Sequence, residues 1–90
     1  MVSDETRQMD PTRRQLRIFG VTVTNYEERT AALLERVATA RTAEERVQAA
    51  QQIAQLTAEL NEVVRETANH VTAIQNRVLT ALAERLGTPS

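Results

Sequence analysis

The sequence predicts an all-α fold: two long helices in an antiparallel hairpin, at about residues 11–40 and 43–86, assembling into a coiled-coil-like helical bundle. Three observations lead there. Two Gly and two Pro in 90 residues leave too little turn chemistry for a many-stranded sheet. Apolar residues recur at alternating intervals of 3 and 4 over a long stretch. Near residue 40 that phase is lost, and a helix-start signal stands at the same place.

Residues 1–10 are polar and aperiodic and are expected to form a flexible lead-in to the helical hairpin domain, 11–86. Asp10-Pro11 supplies a helix start. The carboxylate can accept from free backbone N–H groups of the first turn, and Pro loses nothing where its missing N–H would be unpaired anyway. From there Leu16, Phe19, Val23, Tyr26, Thr30, Leu33, Val37 and Ala40 trace an unbroken heptad seam. A competing reading takes residues 18–24 as an extended strand, because Phe19, Val21 and Val23 alternate against Thr22 and Thr24. A lone strand leaves its edges unpaired, so the continuous helix is favoured.

Continuing the first seam past residue 40 would turn Glu44, Gln51 and Asn61 inward, a poor set. Thr42-Ala43-Glu44-Glu45 is a capping box: Thr42 can accept from the Glu45 N–H, and the Glu45 carboxylate can reach back to the N–H of Thr42. A tight turn is therefore placed at 40–42. The second helix runs to Leu86, where Gly87 stops it and opens a C-terminal tail, 87–90. Its main stripe reads Ile53, Leu56, Leu60, Val64, Thr67, Val71, Gln75, Val78, Leu82 and Leu86, an eleven-residue period, with Val63 and Ile74 widening it to a band.

A hairpin of unequal arms leaves residues 72–86 projecting past the first helix, with Ile74, Val78, Leu79, Leu82 and Leu86 in water. Burying each such side chain is worth about 1.5–3 kcal/mol, so self-association is expected. Its simplest form is an antiparallel or head-to-head dimer making a four-helix bundle, and a higher homo-oligomer obeys the same logic. The contact set is Leu16, Phe19, Val23, Leu33, Leu56, Leu60, Val71, Ile74, Val78 and Leu82.

Composition narrows function by removing parts. All eleven basic residues are Arg, there is no Cys, and the only Gly are Gly20 and Gly87. Schiff-base lysines, thiolate chemistry and Gly-rich phosphate loops are thus excluded. Serine occurs only at Ser3 and Ser90, and His70 is the single histidine, so the usual nucleophile–base pairs have no parts. No enzyme activity and no cofactor is expected. The net charge of −1 is evenly spread, which draws the chain to neither nucleic acid nor membrane. Asp4 and Glu5 precede any apolar run, which argues against a signal peptide, and a cytoplasmic protein is expected.

Three polar groups are set against their ordinary roles. Glu66 and His70, one turn apart, can share a metal, although the di-iron bundle spacing is Glu-x-x-His and a boundary histidine is the plainer account. Arg13, Arg14 and Arg17 are suited to phosphates, and with a strand at 18–24 they faintly resemble a β-ribbon nucleic-acid binder, but a solvated first turn of helix is the plainer account. Gln75 falls inward on the eleven-residue stripe, where a polar residue can fix register. The expected function is a small non-catalytic interaction and assembly module that self-associates through its second helix, as an adaptor or scaffold that can also dock a larger protein partner. The alternatives are a nucleic-acid-binding regulator using the Arg cluster, and a metal-binding bundle or enzyme accessory subunit.

Overall fold

A computed structural model describes residues 4–87, with side chains from Asp10 onward. It contains two helices, α1 (Asp4–Thr39) and α2 (Ala43–Gly87), packed antiparallel along their lengths, with no strand among the described residues. The hairpin measures 75 × 29 × 12 Å, and its radius of gyration is 20.8 Å. A compact chain of this length would have a radius near 12 Å.

The first helix starts at Asp4, seven residues before the expected start at Pro11, so residues 4–10 are helical rather than a flexible lead-in. Pro11 sits inside α1 without ending it. The expected tail 87–90 begins inside α2, since Gly87 is its last residue, and residues 88–90 lie outside the described part, as do residues 1–3.

Residues 18–24 are helical, not extended. Their β-branched threonines bond back to their own helix: Thr22 Oγ1 donates to the Ile18 carbonyl at 2.7 Å and Thr24 Oγ1 to that of Gly20 at 3.1 Å. Phe19, Thr22 and Val23 are half-buried while Ile18, Val21 and Thr24 are exposed, so the segment offers α2 one helical face rather than alternate residues of a strand.

The turn occupies Ala40–Thr42. Thr42 Oγ1 accepts from the Glu45 N–H at 3.1 Å, as the capping box requires. The returning carboxylate departs from expectation by one residue: Glu45 Oε2 accepts from the N–H of Arg41, at 3.1 Å, rather than from Thr42. No residue of the turn needs a positive φ, which explains how it closes without Gly.

Register is read from two hydrogen bonds across the hairpin. Tyr26 Oη lies 2.8 Å from Thr57 Oγ1, and Gln15 Nε2 donates to Thr67 Oγ1 at 3.2 Å. Each of these α2 threonines spends its own proton on its own helix, Thr57 on the Ile53 carbonyl and Thr67 on that of Val63, both at 2.8 Å. Tyr26 and Gln15 are therefore the donors, and the same arrangement occurs twice along the seam.

The apolar core is small and lies near the turn: Leu33, Ala49 and Leu56 are buried, with Tyr26, Val37 and Ile53 packed on them. Farther out, the buried residues are Thr12 and Gln15. Leu16, expected on the α1 seam, is 49% exposed, because the inner line of α1 runs through Thr12 and Gln15 to Phe19.

A second correction concerns α2. The residues facing α1 are Ala49, Ile53, Leu56, Leu60, Val63, Thr67, His70 and Ile74, a 4–3 alternation throughout. The eleven-residue stripe faces α1 only in part: Ile53, Leu56, Leu60 and Thr67 lie on the inner line, whereas Val64, Val71, Gln75, Val78, Leu82 and Leu86 are exposed. Two helices wound about each other keep contact at 3.5 residues per turn, so the partner's heptad holds α2 to a heptad as well.

Candidate functional site

Helix geometry gathers the outward residues onto one face. At roughly 100° per residue, Leu16, Glu27 and Leu34 stand about 80–90° to one side of the inner line of α1. By the same measure Val64, Val71, Val78 and Leu82 stand about 60–100° to one side of the inner line of α2. In an antiparallel pair of right-handed helices these flanks fall on the same side of the hairpin. The other side obeys the same rule: Thr22, Asn25 and Arg29 of α1 line one groove with Leu56 and Glu59 of α2.

The hairpin therefore has two unlike broad faces. One carries Arg29, Arg36, Glu45 and Glu59, and Glu66 stands toward the back of α2 on this side. The other, over its distal half, carries Leu16, Gly20, Val64, Ala68, Val71, Gln75, Val78 and Leu82, none of them charged, and the first charge on this flank of α2 is Arg85, which follows Val64, Val71 and Val78 at the same seven-residue spacing. Arg65 stands at its outer edge and turns away from it, pairing with Glu62 at 2.7 Å. Toward the tip Leu79 and Leu86 extend the surface, Leu86 being 78% exposed.

The expected contact set divides in two. Leu33 and Leu56 are buried in the hairpin's own core, and Phe19, Val23, Leu60 and Ile74 are half-buried along its inner seam. Leu16, Val71, Val78 and Leu82 are exposed, on the uncharged face. Residues 72–86 project less than expected, because the early start of α1 brings its backbone alongside α2 to about residue 78, by equal rise from the Gln15–Thr67 pair. Two features of the site went unread in the sequence, the Thr12/Gln15/Thr67 seam and the placement of Leu34. The heptad Ala49, Ile53, Leu56, Leu60, Val63, Thr67, His70, Ile74 would have revealed the first.

The polar candidates lie elsewhere. Asp10, Arg13, Arg14 and Arg17 line one open depression on the back of α1, turned away from α2, and all four are exposed. With residues 18–24 helical, the β-ribbon likeness has no strand to stand on. His70 is half-buried on the inner seam, and Glu66 is exposed. Among the described residues no three His, Cys, Asp or Glu side chains are grouped to hold a metal ion. Nor is any helix among them long and apolar enough to cross a membrane. No protein-family model, curated protein or solved structure matches the chain.

Proposed function

We propose that this chain is a small, non-catalytic helical assembly module that self-associates through the uncharged face of its second helix and acts as an adaptor or scaffold. The observation that carries this is the continuous run Val64, Val71, Val78 and Leu82 beside Leu16, large apolar side chains left exposed on one face with no charge among them. Scattered exposed leucines are ordinary, but an aligned set of this kind marks an interaction surface. Helix-in-groove packing is the mechanism: ridges of one hairpin face seat between those of another.

Surface area supports the same conclusion. The lone 10.1 kDa chain exposes 7288 Å². A folded monomer of that mass exposes about 5,300 Å². The excess of about 2,000 Å² per chain is of the order that permanent homodimers bury.

Sedimentation over a range of concentrations, with thermal melts at each, tests the proposal. The expected result is a dimer or larger species whose melting temperature rises with concentration. Val78→Glu with Leu82→Glu should convert it to a helical monomer, because each charge would have to be buried unpaired. A concentration-independent monomer whose melting both substitutions leave unchanged would refute self-association.

A further inference from the structure

We infer that two copies pair with their α2 segments 64–82 antiparallel about a twofold axis near residue 73, an arrangement that rests on the self-association proposed above. The occupant of the uncharged face is thus a second copy of this chain, and the direction follows from three features.

The first is uneven thickness. On the level of Leu16 and Val64 both helices back the face, whereas beyond about residue 78 no described part of α1 lies beside α2, which carries Leu79, Leu82, Arg85 and Leu86 there. Antiparallel pairing lays that single-helix end on the two-helix body of the other copy. Parallel pairing would set one bare end on another and leave the leucines half covered.

The second feature is charge. Glu27 is exposed on the α1 flank of the same face, nearer the turn. In a parallel pair the two copies of Glu27 would meet on one level inside the joint, an unfavourable juxtaposition of like charges. In the antiparallel pair the Glu27 level lies beyond the tip of the other copy's α2, and both carboxylates stay in water.

The third is size matching along the seam Val64, Ala68, Val71, Gln75, Val78, Leu82, spaced 4–3–4–3–4. With the axis near residue 73, Leu82 of one copy meets Val64 of the other, Val78 meets Ala68, and Gln75 meets Val71. Large residues thereby face smaller ones, as interdigitated packing requires. The two Gln75 side chains come to lie about one turn apart across the axis, within reach of reciprocal amide hydrogen bonds. One polar layer in an apolar seam penalises every shifted register, so Gln75 acts as the register pin.

The chain has no cysteine, so introduced thiols report without background. Val64→Cys and Leu82→Cys are made separately, at positions exposed in the lone hairpin, and treated with a short bis-thiol cross-linker alone and as a re-annealed mixture. Covalent dimer is expected in the mixture only. In the antiparallel pair, like positions stand roughly 27 Å apart along the axis at 1.5 Å per residue, beyond a short linker. Cross-linking of either variant with itself would overturn the antiparallel direction. Associated protein that cross-links in no sample would overturn the register about residue 73. Sedimentation of the same samples separates these results from loss of self-association, in which case only monomer is found and both proposals fall.

Discussion

Between the turn and the level of Tyr26, the two helices meet through Leu33, Ala49 and Leu56, with Val37 and Ile53 packed around them. From Thr22 outward the same helices meet through Thr12, Gln15 and Thr67, with Phe19, Leu60, His70 and Ile74 only half-buried between them. No hydrophobic residue is fully covered in that outer half among the described side chains, yet Leu16, Val64, Val71, Val78 and Leu82 all lie there, exposed. Near the turn, then, an apolar core lies between the helices, with Leu34 and Val47 left exposed outside it. Toward the tip the inner seam is laced with oxygen and nitrogen while the carbon is on an outer face. Water drives apolar surface together wherever it can find a partner. The uncovered side chains of the outer half are the basis of the self-association proposed above.

The largest test of this contrast compares two leucines. Leu56→Ala should cost about 2–5 kcal/mol of unfolding free energy, because it empties space in the apolar core formed with Leu33 and Ala49. Leu82→Ala should leave the helicity of the dissociated chain unchanged and instead lower the association constant. Urea melts below and above the association concentration resolve the two effects. Equal loss at Leu82 in dilute and concentrated samples would mean that the tip is part of the hairpin's own core.

A smaller effect is expected from the polar seam. Changing Gln15→Leu together with Thr67→Val removes both partners of one cross-hairpin hydrogen bond. Replacing both partners with apolar groups is commonly neutral or stabilising, so a gain up to about 1 kcal/mol is expected, seen as slower amide exchange in the outer half. A marked loss would show that the outer seam depends on its polar pair as the inner half depends on its leucines.

The smallest expected effect, of opposite sign to Leu56→Ala, is at Gly20. A β-carbon built there meets nothing within 4 Å, and the residue is helical without a positive φ. Gly20→Ala should raise stability by about 0.8–1 kcal/mol, measured in the dissociated state. If the gain appears in dilute samples but association weakens, the bare backbone at Gly20 is where a second copy approaches closely.

Much of this was legible in the residues. The two helices, the turn at 40–42 and the Thr42/Glu45 cap follow from local chemistry: helical spacing, scarcity of Gly and Pro, and a hydroxyl three residues ahead of a carboxylate. The start of α1 was misplaced because Asp10-Pro11 is a good opening signal, and nothing local reveals that α2 runs on beside the preceding residues. Residues 18–24 were ambiguous for the same reason: β-branched side chains suit either state until a neighbouring helix supplies the packing. The exposed face was only half visible, since Leu16 and Leu82 read as seam positions without any indication that they stand outside the hairpin's own seam.

What the sequence determined by itself is therefore the run of the backbone within each helix and the point of return, since capping, propensity and turn chemistry act over three or four residues. What only the tertiary structure decided is which of two adjacent stripes on α2 turns inward. Val63 and Val64, His70 and Val71, Ile74 and Gln75 are neighbours in the chain, and α2 forms equally well with either set facing α1. The choice is made by the 3.5-residue period that two intertwined helices impose on each other, and it turns His70 inward and Val71 outward.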